Sequence, residues 1–412
     1  MSFLLTLAWK NLSRYKRRTL ITACALAFGI AMFLWMDGWL QGAARESERN
    51  IIWYESGSAK VMTTDYLEDI KSMPLKHAIQ DPAAVEKALE GAGVTTTRRT
   101  VFAGEIFYGE GSMYVKVIAV DPQTDETIYR LSDTLAQGRY LETGESGVVL
   151  GEWLAQDLGI TVGEEITIRT RTRYGAFQTL DLVVVGVLNS PNPVINKGTA
   201  YVPLSLADEA LEMEGAVTEI TLFFPEWQDP EAKVESLRER LSGFPGLTVE
   251  SWKDLARDFL MIAQMKSAGS SIILFLVFII AAVGISNTML MAVYERVREI
   301  GMMRAMGMKD GAIRVAFLFE AGGIGLIGTL AGIVIGLVLN WYMVNYGIDF
   351  TNLMGQGQMD IGYRVTGVFR SAWHPQAFVG GFIIGVVAAM VFSFIPSSRA
   401  LKMQITEALR YE

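Results

Sequence analysis

The sequence predicts an α-helical membrane protein with four transmembrane helices and one large mixed α/β extracytoplasmic domain inserted between helices 1 and 2. Three observations carry this expectation. The 412-residue chain is 51% hydrophobic with a mean hydropathy of +0.29, yet 19% of its residues are charged. Part of it therefore belongs in a bilayer and part in water. Four windows, 19–40, 268–293, 313–344 and 376–395, are long and apolar enough to cross a hydrocarbon core, which takes ~20 residues per helix. Residues 41–267 hold 21 Lys and Arg against 35 Asp and Glu, a net charge of −14 beside the −8 of the whole chain. The acidity thus belongs to the inserted domain and excludes nucleic acid as its natural partner.

Basic residues in the short flanks orient the helices. Lys10, Arg14, Lys16, Arg17 and Arg18 precede helix 1; Arg296, Arg298, Arg304, Lys309 and Arg314 follow helix 2; Arg399, Lys402 and Arg410 follow helix 4. Between helices 3 and 4, the segment 345–375 has only Arg364 and Arg370. Both termini (the tail being 396–412) and the segment 294–312 are expected in the cytoplasm, with 41–267 and 345–375 outside. In residues 1–18, Leu4, Leu5, Ala8, Leu12 and Tyr15 share one helical stripe opposite Lys10, Ser13, Arg14 and Arg17. That is an amphipathic elbow lying against membrane lipid. A basic stretch before an apolar run also suits a cleavable signal, but this run is long and ends in Trp35, Asp37 and Trp39 without a small-x-small site, which favours a span. Cys24, the single cysteine, lies in helix 1; it excludes an internal disulfide or a thiolate metal site and reads as a small packing residue.

In the inserted domain, alternating or β-branched runs predict strands at 114–120, 165–169, 180–187 and 217–224. Asp81 followed by Pro82 predicts a helix over 83–89, and 230–241 predicts another. Trp252, Leu255, Phe259, Ile262 and Met265 recur at helical spacing, so 252–267 reads as a stalk running without a strong breaker, except Gly269, into helix 2. Helix 3 carries Gly328, Gly332 and Gly336, and helix 4 carries Gly381 and Gly385. Such spacing lets backbones approach closely in lipid, either among helices 2, 3 and 4 or across a dimer. Glu320 stands near the cytoplasmic end of helix 3, where a charge pairs or snorkels.

Catalysis finds little support. There is no G-x-x-x-x-G-K-[ST], G-x-S-x-G or H-E-x-x-H, and only two histidines, His77 and His374. The abundant carboxylates read as a solvated acidic surface. The expectation is a chain that is not an enzyme, holds no metal and binds no cofactor, so that any ATP hydrolysis occurs on another polypeptide. Sparse intramembrane charge also disfavours an ion-coupled carrier.

One segment, 293–308 (VYERVREIGMMRAMGM), combines charge, methionine and glycine between two spans. On a helix, Val297, Ile300 and Met303 approach one side and suit a hydrophobic groove, while Glu295 reaches Arg298 and Arg296 reaches Glu299. Gly301 and Gly307 permit close approach or a turn. The plainer reading is an interfacial loop carrying cytoplasmic basic residues.

Residues 287–336 (NTMLMAVYERVREIGMMRAMGMKDGAIRVAFLFEAGGIGLIGTLAGIVIG) resemble the signature of the MacB/FtsX-like permeases of ABC transporters, in which E-R-x-R-E-I-G-x-x-x-A-x-G follows the second span. Residues 4–22 resemble that family's elbow, 138–168 (GRYLETGESGVVLGEWLAQDLGITVGEEITI) its outer-domain motif, and 396–412 its C-terminal end. The resemblance implies a permease that pairs with a second permease subunit, identical or paralogous, and binds a dimer of cytoplasmic ABC ATPases, on which ATP and Mg reside. It implies an ATPase-coupling helix at Glu295, Arg296, Arg298, Glu299, Ile300, Gly301, Arg304, Ala305 and Gly307. It also implies mechanotransmission, in which ATP-driven closure moves the outer domain while no cargo crosses through the permease.

The unfused layout is similar to the lipoprotein-releasing branch (LolC/LolE type), although Val297, Met308 and the close of helix 1 depart from branch patterns. In that branch a projecting loop of the outer domain recruits a periplasmic chaperone. The segment 189–197, with Asn189, Pro191, Asn192, Pro193, Asn196 and Lys197, is the candidate here because its composition favours an exposed turn. The expected function is extraction of lipoproteins from the bacterial inner membrane. The alternatives are export of drugs, peptides or lipids with a periplasmic adaptor, or a cell-division type transducer that activates a cell-wall hydrolase.

Overall fold

Strands β1 (Ala59–Thr63), β2 (Thr95–Tyr108), β3 (Gly111–Val120), β4 (Leu135–Gly138), β5 (Gly147–Gly151), β6 (Glu165–Arg171), β7 (Phe177–Leu188), β8 (Thr199–Pro203), β9 (Glu219–Phe223) and β10 (Leu247–Ser251) form one ten-stranded sheet. The structure is a computed structural model; it describes residues 16–262, 297–349 and 368–400 and single positions between 263 and 296. Described residues 46–261 make one compact unit; residues 16–45, 262–349 and 368–400 contribute to the other.

The sheet runs β10-β1-β9-β2-β3-β8-β5-β7-β4, with β6 joining β2 and β7. Its pairs are antiparallel except β3 with β8 and β5 with β7. The β2–β3 hairpin closes through Gly109 and Glu110, and Gly109 takes the φ of +57° that such a tight turn requires. Along β6 the side chains alternate: Ile166 and Ile168 point into a core with Ile106, Val115, Val117, Leu180 and Leu182, while Arg169 and Arg171 point out. The helices Glu152–Leu158 and Leu204–Ala210 cover that core. A second cluster joins Val61, Ile220, Leu222 and Val249 to the helices Pro82–Leu89 and Glu231–Arg240. A third holds Val101, Ile118, Tyr129, Tyr140 and Tyr201.

The predicted strands and helices of this domain are present, and Asp81 caps its helix by accepting from Ala84 N at 3.0 Å. The stalk needs correction. The helix Trp252–Leu255 ends at Ala256, whose ψ of 20° leaves the helical region, before helical structure resumes. Trp252 explains the interruption: it is buried with Ile51 and Ile52 and donates Nε1–H to Trp227 O at 2.7 Å, which fixes it in the domain core. Ile262 and Met265, assigned to the same seam, are exposed. Ala263 and most of the expected helix 2 lie outside the described residues.

Three helices among the described residues are long and apolar enough to cross a membrane: Thr19–Ser56, Asp310–Asn345 and Pro375–Phe394. The first is longer than its expected end at residue 40. Residues 41–51 are mostly polar but contain no proline, and the single Gly42 is tolerated, so the α-helix Lys16–Ile51 continues and then widens into a π-helical turn, Ile52–Ser56. Hydropathy marks the lipid-crossing part and leaves the helix end unmarked. Arg49 and Arg130 both stand over the Trp53 ring in that turn, at 4.8 and 4.1 Å. Cys24, read as a packing residue, is exposed. At the C-terminal end of the helix Asp310–Asn345, Tyr346 stacks on Tyr342 at 5.1 Å and meets Trp341 edge-on at 6.2 Å.

Candidate coupling segment and outer-domain surface

The segment after the second predicted span is helical over Val297–Ala305. It stops where Gly307 adopts φ +88°, with Gly307 N donating to Arg304 O and Met308 N to Met303 O, both at 3.0 Å. Those two bonds make a Schellman cap, and its usual apolar contact is present because Met303 and Met308 share a cluster. The chain reverses at once into the helix Asp310–Asn345, and Arg304 Nε pairs with Asp310 Oδ1 at 3.0 Å.

This reversal changes which side faces outward. Ile300 and Met303 pack on Ile313 and Phe317 of the next helix, and Val297 is also buried. The stripe expected to fill a partner's groove is therefore spent inside the chain. Gly301 is buried with it. Glu295, Arg298, Met302, Ala305, Met306 and Gly307 are exposed, while Glu299 and Arg304 are half-buried. Arg296 lies outside the described residues.

The helix-packing glycines act within the chain. A Cβ on Gly328 would come 2.9 Å from Ala23 O, one on Gly332 2.7 Å from Ala27 O, and one on Gly336 2.9 Å from Leu34 Cδ1. Their partner among the described residues is thus the first helix, which the expectation of packing among helices 2, 3 and 4 left out. Gly385 meets Thr329, and Gly381 faces Phe33 and Leu34 at 3.6 Å or more. Glu320 is buried on the helix Asp310–Asn345.

The segment 189–197 is not the exposed turn its composition suggests. Asn192 caps the helix Pro193–Gly198 and donates Nδ2–H to Glu55 Oε2 at 2.8 Å. Asn196, fully buried, accepts from Ser190 N at 2.8 Å and donates to Ser190 O at 2.7 Å. The asparagines satisfy the segment's own backbone, which draws it inward. Asn189, Pro191 and Pro193 are half-buried, leaving Lys197 exposed with Val194.

The β6–β7 hairpin, which the sequence reading passed over, is exposed instead. Tyr174 and Phe177 are 68% and 69% accessible. Arg171 and Arg169 stand over the Phe177 ring at 4.7 and 5.9 Å. Arg173 ties the hairpin down, with its backbone N donating to Leu211 O at 3.0 Å and Nη2 to Gln80 Oε1 at 2.6 Å. The available signal was a Tyr-Gly step between two strand-like runs, which marks a hairpin tip.

Two ion pairs lie inside the domain. Arg99 forms a two-pronged pair with Asp125 at 2.7 and 2.8 Å over the Tyr129 ring, and Lys60 Nζ meets Glu219 Oε1 at 2.7 Å. Burial alone would push the Glu219 carboxyl up, but Lys60 and Lys116 outweigh it and hold it below the usual carboxylate range. Burial, with Lys60 nearby, lowers the Lys116 ammonium.

Residues 19–240, over half the chain, match the MacB-like periplasmic core domain, and residues 271–405 match the FtsX-like permease C-terminal region. The chain belongs to the MacB/FtsX-like family of ABC transporter permeases. It is 26% identical over 310 residues to the lipoprotein-releasing system transmembrane protein LolC of Neisseria meningitidis, covering 72% of this chain and 73% of that one. An uncharacterised ABC transporter permease of Methanocaldococcus jannaschii is 24% identical over 99% of this chain and 98% of its own. The probable syringafactin export ATP-binding/permease protein SyfD of Pseudomonas syringae is 24% identical over 98% of this chain and 59% of its own. The family implies an ATPase partner and a second permease subunit.

Proposed function

We propose that this chain is the permease subunit of an inner-membrane ABC transporter that releases lipoproteins to a periplasmic chaperone, powered by a separate ATPase dimer. The carrying observation is the capped helix Val297–Ala305, which buries its apolar side at home and leaves Arg298, Met302 and Met306 to meet a partner. The absence of a P-loop motif in this chain and its likeness to LolC support the same reading. Both termini face the cytoplasm in this scheme, and ATP-driven movement reaches the outer domain mechanically.

The partner-recruiting element is then the β6–β7 hairpin, with Tyr174, Phe177 and Arg171, rather than the segment 189–197. Export with a periplasmic adaptor is the second reading, favoured by the match to SyfD along nearly all of this chain. Reconstitution into proteoliposomes with an ATPase partner and a labelled lipoprotein tests the choice. ATP-dependent transfer of the lipoprotein to a soluble chaperone is expected, and retention of lipoprotein with expulsion of a small amphiphile would favour the second reading. Arg298→Glu with Met302→Asp is expected to abolish co-purification of the ATPase. Tyr174→Ser with Phe177→Ser is expected to abolish chaperone capture while leaving ATPase binding intact.

A further inference from the structure

The short segment 370–374 lies across the first helix just before the helix Pro375–Ala400, and it is tied there by polar contacts to that first helix and to the helix Asp310–Asn345. Ala372 N donates to Gly38 O at 2.9 Å, and Arg45 Nη2 donates to Trp373 O at 3.5 Å. His374 Nδ1 lies 2.7 Å from Asp37 Oδ2, so an N–H on that nitrogen donates to the carboxylate. From the other side, Asn340 of the helix Asp310–Asn345 donates Nδ2–H to Ala372 O at 3.3 Å and accepts from the Ser371 hydroxyl. Ser371 N also donates to Met343 O at 3.3 Å.

The backbones also approach closely. A Cβ on Gly38 would run into the Asn340 and Ser371 side chains, and one on Gly42 into the backbone of Arg370 and Ser371. Asn340 is fully buried. Pulling this segment away would leave a buried amide and the Gly38 carbonyl without partners near lipid, where such groups find no water to replace them. Lower along the same helices, Gly328, Gly332 and Gly336 bring the helix Asp310–Asn345 against the first helix, and Gly325 brings it against Ala389 of the last. Two independent sets of contacts, one polar and one steric, therefore join the same three helices.

We propose that residues 370–374 are a clasp, closed by Asp37, Asn340 and His374, that makes the helices Lys16–Ile51, Asp310–Asn345 and Pro375–Ala400 one moving body. Conformational change in the membrane unit then occurs between this body and other elements, never by sliding within it. The inference stands on helix packing and needs neither an ATPase nor a cargo to be tested.

The test uses the full chain in lipid nanodiscs, with Cys24→Ser removing the single native thiol. Spin labels on the exposed pairs Phe28→Cys with Val334→Cys, and Phe28→Cys with Val387→Cys, report distances within the three-helix body by pulsed electron resonance. One narrow distribution is expected for each pair, and Asp37→Leu with Asn340→Leu should add a population displaced by about one helical turn, ~5 Å. Two populations in the parent would overturn the single body. A clasp variant with the parent's distribution would overturn the clasp. Ser371→Ala, which removes one hydroxyl alone, serves if the double variant does not fold, and it is expected to broaden the same distributions; unchanged widths would likewise count against the clasp.

Discussion

The outer domain and the membrane unit hold together by opposite means. In the outer domain, large side chains and two buried ion pairs fill the space over one sheet, and Arg99 and Trp252 are fully enclosed. In the membrane unit, helices come close where side chains are missing, as at Gly328, Gly332 and Gly336. Water explains the difference. A domain folding in water gains by burying apolar bulk, whereas helices already in lipid gain nothing by trading one apolar neighbour for another and must bring backbones into van der Waals contact.

The largest effect that would sharpen this contrast lies at Arg99. Arg99→Met leaves Asp125 charged and buried, and should cost ~3–5 kcal/mol in denaturant unfolding of the outer domain. Arg99→Met with Asp125→Leu should recover most of that loss, because a matched apolar pair removes the stranded charge. A double variant as unstable as the single one would mean that the pair itself stabilises the fold. Next is the membrane unit: Gly332→Leu should cost ~1–3 kcal/mol by overpacking and lower the temperature at which the protein aggregates in detergent. Gly380→Leu, where no atom lies within 4 Å of a new Cβ, is the control expected to change little.

Acid should distinguish the two regions further. Glu219 is held below its ordinary value of 4.5, so its contribution is complete above that value and disappears as pH falls through the lower folded-state value. Unfolding of the outer domain should become easier below about pH 4.5, and Glu219→Gln should flatten that dependence while lowering stability at neutral pH. The smallest effect is local. Gly307→Ala forces a side chain into left-handed backbone and should cost ~1 kcal/mol, seen as faster amide exchange at Gly307 and Met308, whereas Gly311→Ala should exchange like the parent.

How much was legible follows from the same physics. Strands β6 and β7 alternate between core and solvent, so their pattern is visible in sequence. Strands β5 and β8 are buried at every position and only five residues long, which leaves no alternation to detect. Strand β2 was not predicted, and nothing in the adjacent Arg98 and Arg99 tells which is enclosed, because the carboxylate that holds Arg99 arrives from 26 residues away. The helix at 297–305 was readable from spacing. Its buried side was not, because the partner is Ile313 and Phe317 beyond a reversal that Gly307 alone announces. The asparagines at 192 and 196 were mistaken for solvent-seeking residues because composition does not say whether an amide bonds to water or to its own backbone.

The aromatic group at Trp341, Tyr342 and Tyr346 bears on the lipid itself. The 36-residue helix that it terminates is ~54 Å long, well beyond a hydrocarbon core of ~30 Å. Amphipathic rings settle at the headgroup level, so this end has a preferred depth and the surplus length must be taken up by tilt or by extension past the opposite face. Bilayer thickness thereby sets how far the reversal at Gly307 stands from the membrane surface, and acyl-chain length becomes a control on the height of the coupling segment.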